Sequence, residues 1–589
     1  MPSQQILRTQ VLVVGGGTGG TAAAIQAARQ GVETILVSEG PWLGGMLTSA
    51  GVCAPDGNEL TAFQTGLWGS FLRAILDREP SGVDHGWVSF FTYQPHTGAS
   101  IFADWVAQLP HLQWIQGYEP QAVFREGDRI TGVAFDGLSV YADLTLDGTE
   151  LGDLLALGEV PHRLGWELQS QWQEPSAPLE ESPLTQRYPV QAPTWVFYLQ
   201  SAMDPGAGRV APPSGPSPFQ QALQGYSPHA FIQYGAIPHQ RYMINWPQHG
   251  NDYAQGVIRL FESAQQRQAF LREAHAHSQQ FAQFLSHHLE HPYELADSLF
   301  PSRPGQLGGG AFALHPYYRE SRRLVGMTTV IEQDLLPQGA VAPLPRDDTG
   351  QVSAIAIGNY ANDHHYPSGD IPLAPKSMRW GGRWTGTAFT IPYGSLVPKA
   401  VDGLLVCEKN ISVSHMANGA TRLQPLVLGI GQAAGMAAAL AVQQGIQPRA
   451  LKVRSLQNAL LNDALAPAAV VPFYNLAPHH PDWKQRQIEV LEDPSRYPAT
   501  GNCPDLPPCS PRLGKAEQQR LHTVQGRFER CGPNHYQIHL DPPGQTPWSL
   551  VTLHAQVHDQ LQSLPNHASI QVQGWFNPAG GWIRVHALD

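Results

Sequence analysis

The sequence is poor in cysteine, in positive charge and in long apolar runs. Five cysteines in 589 residues, an odd number, do not make the disulfide framework of a secreted protein. The net charge of −12, from 36 Lys and Arg against 48 Asp and Glu, argues against a nucleic acid or an anionic membrane surface as partner. No apolar run reaches about 18 residues, and the first ten residues lack the charged and apolar regions of a signal peptide. We therefore expect a soluble, cytoplasmic protein; a homodimer is compatible with these numbers.

The cysteines also lack the spacing of a metal site. Cys503, Cys509, Cys531 and His535 follow the pattern C-x5-C-x21-C-x3-H, without the short cysteine pair that is typical of zinc sites. No Cys-x-x-Cys occurs, which excludes a disulfide-reductase mechanism. We expect no bound metal.

Glycine, by contrast, is concentrated after a short apolar segment near residue 10. Residues 10–14 are predicted to form a strand, 18–30 an alanine-rich helix and 34–38 a second strand, which together make a β-α-β unit. The first glycine of a G-x-G-x-x-G turn permits the tight bend, the second the approach of a pyrophosphate, and the third close helix–strand packing. The phosphate then meets free N–H groups at the positive end of the helix dipole. The turn consists of Gly15, Gly16, Gly17, Thr18, Gly19 and Gly20.

An acidic residue and a second glycine pair refine this prediction. Glu39 ends the second strand 19 residues after Gly20, where a carboxylate accepts hydrogen bonds from ribose hydroxyls and repels a 2′-phosphate. The sequence therefore predicts a dinucleotide site and disfavours NADP; the alternative is a glycine turn that binds no ligand. Gly44 and Gly45, in GPWLGGMLTSAG (40–51), favour FAD over NAD, because a flavin needs a loop running close beside its ribityl chain and ring.

Five stretches carry a family resemblance. They are residues 13–51, 146–167 (LDGTELGDLLALGEVPHRLGWE), 318–326 (YRESRRLVG), 391–425 and 428–445. Together they resemble the FAD-dependent oxidoreductases of the glutathione-reductase structural class, and most of all a poorly characterised bacterial group within it. The resemblance covers roughly residues 8–485. One departure is Asp147-Gly148-Thr149, where the class commonly has Ala-Thr-Gly.

The resemblance implies further cofactor contacts. Gly44, Gly45 and Met46 are expected beside the flavin, and Asp153 near the cofactor. The backbone around Val123 is expected to meet the adenine. A helix starting near Gly431 is expected to direct its N-terminus at the flavin N1–C2 carbonyl.

Two other glycine motifs fail the test of context. Residues 429–434 (GIGQAA) and 308–313 (GGGAFA) match the turn pattern, but neither is followed by a strand that ends in an acid. We therefore predict no built-in NAD(P)H domain.

The predicted fold class is α/β. A Rossmann-like FAD-binding domain of glutathione-reductase type comprises residues 1–170 and 391–485, and an inserted α+β substrate region comprises residues 171–390. Five short alternating segments in residues 515–589 predict a small C-terminal all-β domain, a barrel or a sandwich. The proline-rich stretches 174–183 and 203–218 are predicted surface loops.

Catalytic candidates are sought next to the last flavin-facing helix. His415 and Arg422, with Asn418 between them, stand in SVSHMANGATRLQP (412–425); His364 stands beside His365 in a loop. Such residues line a flavin edge or a substrate pocket, or they only fix the entry of the helix. The arginines of residues 319–323 either bind a substrate carboxylate or form an internal ion-pair network.

These features predict an FAD-dependent oxidoreductase that takes a hydride from a small organic substrate and passes electrons to oxygen or another acceptor. Two alternatives stay open. One is an NAD(P)H-dependent flavin reductase or monooxygenase, and the other is a flavoprotein with structural FAD and a binding role.

Overall fold

The computed structural model describes residues 5–202, 217–289, 291–507, 509, 513–541 and 546–589. The strands, in chain order, are β1 (Gln5–Val14), β2 (Thr34–Ser38), β3 (Leu112–Gln116), β4 (Ala122–Glu126), β5 (Arg129–Phe135), β6 (Leu138–Asp147), β7 (His162–Arg163), β8 (Phe197–Ser201), β9 (Ala236–Ile237), β10 (Arg241–Ile244), β11 (Tyr293–Leu295), β12 (Arg323–Leu324), β13 (Ala354–Asn359), β14 (Ser377–Trp380), β15 (Arg383–Gly386), β16 (Ala388–Pro392), β17 (Leu404–Val406), β18 (His522–Gly532), β19 (His535–Leu540), β20 (Trp548–Val551), β21 (Ser569–Asn577) and β22 (Trp582–Leu588).

The α-helices are α1 (Thr18–Arg29), α2 (Gly66–Arg78), α3 (Pro95–Ala107), α4 (Asp153–Leu157), α5 (Gln169–Trp172), α6 (Pro183–Arg187), α7 (Pro228–Gln233), α8 (Ala264–His288), α9 (His415–Thr421), α10 (Gln424–Gln444), α11 (Val453–Leu461), α12 (Trp483–Glu492), α13 (Lys515–Gln519) and α14 (Ala555–Ser563).

A seven-stranded sheet carries the glycine turn. Its order is β3-β2-β1-β6-β5-β4, and β17 pairs with the end of β6. Strands β1, β2, β3, β6 and β17 are parallel, whereas β4 and β5 are antiparallel additions. The predicted β-α-β unit is confirmed as β1, α1 and β2. This mixed α/β arrangement with a parallel sheet is consistent with a Rossmann-like cofactor-binding fold.

Helix α10 packs directly against α1 through glycine. A Cβ placed on Gly431 would lie 2.1 Å from Gly19 O, and one on Gly435 would lie 2.2 Å from Ala23 O, so only glycine permits this approach. Helix α10 is also the one helix of the described residues that is long and apolar enough to cross a membrane. Of its most apolar window, 83% is buried within the protein, which accounts for its composition.

A second apolar core lies around a smaller sheet. This sheet has the order β11-β8-β10-β9 and packs with α8. Aromatic side chains dominate the packing, as at Phe281, whose ring centroid lies 4.9 Å from that of Phe219 and 6.2 Å from that of Phe197. The predicted loop 203–218 lies, in residues 203–216, outside the described part of the chain. The other predicted surface loop, residues 174–183, is wrong at Glu174. This residue is 1% exposed, and its carboxylate accepts a hydrogen bond from Glu332 N–H.

Residues 522–588 form a closed five-stranded barrel of order β18-β19-β20-β22-β21. Every neighbouring pair is antiparallel except β20 and β22. The expectation of an all-β unit over residues 515–589 is wrong in two elements. Helix α13 occupies Lys515–Gln519, and one of the five alternating segments, SLVTLHAQV (549–557), is a strand only as far as Val551, with α14 beginning at Ala555. The apolar side chains Val557 and Leu561 of this helix cover one end of the barrel core.

The barrel packs tightly on the β14–β15 hairpin. Thr552 N–H donates to Gly381 O at 2.7 Å, and a Cβ on Gly382 would lie 2.1 Å from Leu550 O. A further hydrogen bond runs from Thr61 N–H to Leu553 O at 3.0 Å. The hairpin and the segment around Thr61 are therefore held by the barrel.

Candidate active site

The turn after β1 requires glycine at its first position. Gly15 has φ of +103°, and a Cβ there would lie 2.3 Å from Gly148 O. Gly148 N–H in turn donates to Val14 O at 2.8 Å. The turn therefore lies directly on the loop after β6, a contact that no larger residue permits.

Helix α1 presents its N-terminus to a carboxylate. Its N-cap residue, Gly17, offers no side chain to the free N–H groups. Glu408, which follows β17, accepts a hydrogen bond from Gly19 N–H at 2.7 Å. A Cβ on Gly17 would lie 2.6 Å from the same carboxylate oxygen. Negative charge thus lies at the positive end of the helix dipole.

Lys409 is buried between two carboxylates beside this turn. Its Nζ lies 2.5 Å from Glu150 Oε2 and 3.0 Å from Glu408 Oε2. Burial lowers the pKa of Lys409, but the two carboxylates outweigh burial and hold this pKa above its usual range. Sequence reasoning missed these three residues. The available signal was a charged pair directly after an apolar strand, in LLVCEKN (404–410).

The second glycine pair lies beside the first turn. Gly44 N–H donates to Gly16 O at 3.0 Å, and Thr18 Oγ1 donates to Gly44 O at 2.8 Å. Gly44 and Gly45 have φ of +104° and +50°, a left-handed conformation that favours glycine. Met46 follows and is fully buried.

The residues around these turns fit a flavin nucleotide. A Cβ on Gly45 would lie 2.5 Å from Glu150 Oε1, a buried atom without a hydrogen-bond partner among the described residues. An unmatched acceptor beside bare main chain suits a cofactor that brings hydroxyl and phosphate groups. The main chain at Gly17 and Gly45 would hold the cofactor beside the two turns, and Glu150 would accept a hydrogen bond from one of its hydroxyl groups.

Three other expected cofactor residues lie in different settings. Glu39 directly follows β2, and its carboxylate makes no hydrogen bond or ion pair with any described residue. Asp153 is held by two arginines, Arg267 at 2.6 Å and Arg322 at 3.0 Å. Val123 lies in β4, the outer strand of the sheet, opposite Val133. Their contacts with FAD stay predictions.

The helix expected to start near Gly431 starts earlier. Leu423 is extended, Gln424 is the first helical residue and Pro425 occupies the first turn, where its missing N–H is harmless. Gly431 therefore lies two turns inside α10, against α1. The residue at the N-terminus of this helix is Gln424.

The three proposed catalytic side chains belong to connected networks. His415, the first residue of α9, is fully buried, with Nδ1 2.8 Å from Glu320 Oε1 and Nε2 2.6 Å from Tyr366 OH. His364 Nδ1 lies 3.0 Å from the same hydroxyl, and His364 Nε2 lies 3.1 Å from Met416 O. Every contact is satisfied if His415 carries both ring protons, Tyr366 donates to His364, and His364 donates to Met416 O.

Burial and the neighbouring His415 lower the pKa of His364 well below its usual range, so His364 is neutral. This agrees with one proton on its Nε2. His415 Nδ1 faces the Glu320 carboxylate. Sequence reasoning did not find Tyr366, which joins the two histidines.

Arg422 belongs to a second chain of alternating charges. It donates to Tyr317 OH at 2.5 Å and to Asp363 Oδ2 at 2.9 Å. His365 then bridges Asp363 Oδ2 at 2.9 Å and Asp252 Oδ2 at 3.1 Å. Arg319 completes the chain, 3.1 Å from Asp252 Oδ1.

The arginines of residues 319–323 form an internal ion-pair network, which was one of the two interpretations of their sequence. Besides Arg319 with Asp252 and Arg322 with Asp153, Arg323 lies 2.8 Å from Glu167 Oε1. Because these carboxylates lie far from the arginines in sequence, the pairing could not be predicted from spacing.

A cavity of about 380 Å³ opens beside the second chain, at the N-terminus of α10. Arg319, Arg422 and Gln424 line one part of it. Further lining residues come from the segment after the second glycine pair, from residues 359–365 and from the β14–β15 hairpin, and others are Val88, Tyr234, Asn245, Pro247 and Tyr317. His415 does not line it. The expected residues thus separate into a buried histidine network and an arginine at the cavity.

Comparisons with known proteins were made at three levels. A family model described as FAD dependent oxidoreductase matches residues 10–460. The chain is 53% identical to dihydrolipoyl dehydrogenase of Pseudomonas aeruginosa over 52 residues, which cover 9% of this chain and 11% of that protein. The chain therefore spans about a tenth of this curated relative.

Solved structures resemble the chain only weakly. A geranylgeranyl bacteriochlorophyll reductase-like protein of Thermoplasma acidophilum is 9% identical, covering 83% of this chain and 87% of its own, with a TM-score of 0.31. A p-nitrophenol 4-monooxygenase of Pseudomonas putida is 10% identical over 35% of this chain and 50% of its own, with a TM-score of 0.20. Similarities this low carry no information on activity. The family match, by contrast, spans more than half of the chain, and the protein belongs to the family of FAD dependent oxidoreductases.

Proposed function

We propose that the protein oxidises a small, polar organic substrate bound in the cavity at the N-terminus of α10, and that oxygen or another acceptor reoxidises the enzyme. FAD, when bound, supplies the hydride acceptor. The observation that carries the proposal is the cavity itself, which joins a helix N-terminus, a buried arginine and unmatched polar groups in one place.

Arg422 makes its end of the cavity positive. Burial lowers the pKa of Arg422, but Tyr317 and Asp363 outweigh burial and raise this pKa above its usual range. The free N–H groups at the start of α10 add the positive end of a helix dipole. Both stabilise negative charge that develops nearby, which favours a bound ring system that gains an electron pair.

Two other glycine motifs bear on whether the chain carries a second dinucleotide domain. Of the two other glycine motifs, residues 429–434 lie inside α10 and residues 308–313 form irregular chain that opens no helix. Neither forms the strand–turn–helix that a second dinucleotide requires.

Anaerobic stopped-flow spectroscopy tests the proposal. The holoenzyme is mixed with amines, alcohols, hydroxy acids and sugars, and separately with NADH and NADPH. We expect a small organic donor to bleach the flavin absorbance without a nicotinamide. Bleaching by NADH or NADPH alone would identify a reductase or monooxygenase, and a flavin that no donor bleaches would indicate a structural cofactor.

A further inference from the structure

Two carboxylates in the cavity are without a protein partner. Asp56 and Glu59 follow the second glycine pair and line the cavity. Neither side chain makes a hydrogen bond or an ion pair within 4 Å to any residue of the described chain, although both feel the more distant charge of Arg383. Partly buried carboxylates without a counter-charge are uncommon, because burial disfavours their ionised form.

Two of the three arginines that line the cavity are paired with carboxylates. Arg422 is paired with Asp363, and Arg319 with Asp252. Arg383 also lines the cavity but forms no ion pair with any described residue: it donates to Val88 O at 2.8 Å, its guanidinium carbon lies 4.4 Å from the Phe90 ring centroid, and its Nη1 has no hydrogen-bond partner among the described residues. When both are ionised, the carboxylates of Asp56 and Glu59 therefore outnumber this one unpaired arginine, and a cationic ligand would supply the second counter-charge.

Buried amides add unmatched acceptors to the same cavity. Asn245 is 8% exposed and Gln424 is 1% exposed, and both line the cavity. Asn245 Oδ1 and Gln424 Oε1 have no hydrogen-bond partner among the described residues. Buried polar atoms in folded proteins are paired as a rule, so these two side-chain amides point to a polar ligand in the cavity.

The remaining wall is aromatic. Tyr234, Tyr317 and Tyr360 line the cavity, and Trp384, which is 60% exposed, stands on the β14–β15 hairpin beside it. Aromatic faces attract cations, and the attraction grows when the cation is desolvated. Carboxylates, amide oxygens and aromatic rings together form the set of groups that binds an ammonium ion.

We propose that Asp56 and Glu59 bind the protonated amino group of the substrate, which makes the substrate an amine. This inference rests on the proposed function, since it names the substrate class of the same cavity. The rings of Tyr234 and Tyr360 and the amide of Asn245 complete the ammonium site, and the apolar part of the amine lies toward Val52 and Val88.

The surroundings of Asp56 give a readout that does not depend on turnover. Burial, and next the Glu59 carboxyl, raise the pKa of Asp56 to about 8, so Asp56 is protonated near pH 7. A bound ammonium favours the ionised carboxylate, so an amine cation displaces the proton on binding. The groups that face Asp56 are Glu59, Arg383, Asp363, Arg422, Tyr234 and Tyr360.

The test uses the holoenzyme and three probes of one shape: benzylamine, benzyl alcohol and benzoate. Isothermal titration calorimetry at pH 7, in two buffers of different ionisation enthalpy, measures affinity and proton release. We expect benzylamine to bind at least ten-fold more tightly than the other two and to release protons. Asp56→Asn should abolish proton release and weaken the binding of benzylamine at least ten-fold, whereas the affinity for benzyl alcohol should be unchanged. Asp128→Asn, a change at a carboxylate with 90% exposure far from the cavity, is the matched control.

Glu59→Gln provides a second variant should Asp56→Asn lose FAD, and it should weaken benzylamine by a similar factor. Equal or tighter binding of benzyl alcohol or benzoate would overturn the inference, as would unchanged benzylamine affinity in both variants or no binding of any probe. Flavin bleaching plays no part in this measurement. A protein that binds benzylamine but is reduced by no donor contradicts only the proposed function; one reduced by alcohols that binds no benzylamine contradicts only the inference.

Discussion

The acidic residues near the proposed cofactor site differ in whether other protein groups already bind their carboxylates. Asp153 is held by two arginines, and Glu408 by Gly19 N–H and Lys409. Glu39 has no such partner among the described residues and directly follows β2, the strand that pairs with β1. A carboxylate that is free in the protein loses little when it turns to a ligand.

Changing Glu39→Ala should therefore weaken FAD binding by about 1–3 kcal/mol, through loss of charge-assisted hydrogen bonds to the ribose. Fluorescence titration of the apoprotein with FAD measures the change. Glu33→Ala, which removes a carboxylate just before the other end of β2, should leave the affinity as it was. Equal losses in both variants would mean that another residue holds the ribose.

Asp56→Asn should stabilise the ligand-free protein at alkaline pH. The pKa of Asp56 is raised to about 8 in the folded protein, so folding favours its protonated form. The wild type therefore loses stability relative to the variant as pH rises from about 4 to about 8, and the two agree below that window. We expect a gain of about 1–3 kcal/mol at pH 9 and none at pH 4, measured by thermal melting. A gain that is the same at both pH values would contradict the raised pKa.

At the scale of elements, the contact of α1 with α10 determines which glycines of α10 can be replaced by a larger residue. A Cβ on Gly431 would lie 2.1 Å from Gly19 O, whereas one on Gly429 would meet only Ala356 Cβ at 3.6 Å, an ordinary contact. The two glycines stand two residues apart in one helix, and so they form a matched pair.

Gly431→Ala should destabilise the protein by about 2–4 kcal/mol and displace the glycine turn, because α1 must move away from α10. Gly429→Ala should be neutral or stabilise by up to about 1 kcal/mol, since alanine is the better helix former. Chemical denaturation gives both values, and FAD content reports the turn. Similar effects of the two changes would show that the helices are not in backbone contact.

The same elements show where sequence reasoning succeeds. The unit of β1, α1 and β2 was predictable because its glycines, apolar runs and helix end act within about 30 residues. The start of α10 was not, because Gly431 looks like a turn residue and only the distant Gly19 explains it. In the barrel, alternation continued through SLVTLHAQV, but the chain turns into α14 at Ala555. Glu150, Glu408 and Lys409 meet only through the tertiary fold, so no local pattern marked the three as a group.

For the whole molecule, the barrel and the cavity are one structure. Arg383 lines the cavity, and its guanidinium carbon lies 4.9 Å from the ring centroid of Trp582 in β22. Asn577 of the barrel also donates to Gly86 O at 2.9 Å, near the Val88 wall. The barrel, which the family match does not include, therefore supports the outer wall of the cavity.

Trp582→Ala should weaken benzylamine binding several-fold, because the Arg383 guanidinium then packs on the Phe90 ring alone. The FAD content should stay at that of the wild type. Trp548→Ala is the control, because Trp548 packs on Phe576 inside the barrel. Calorimetry and absorbance spectra report the two quantities. Loss of FAD from the Trp582 variant would contradict this prediction and show that the barrel also stabilises the bound cofactor.

The distance along the chain between Arg383 and Trp582 has a consequence for synthesis on the ribosome. Both glycine turns emerge early, and their partners Glu408, Lys409 and Gly431 follow before any strand of the barrel. The wall of the cavity is complete only after β20 and β22 have been synthesised, because the barrel packs against the β14–β15 hairpin at Gly381, Gly382 and Arg383. A nascent chain thus completes the contacts of the glycine turns first and the wall of the cavity last.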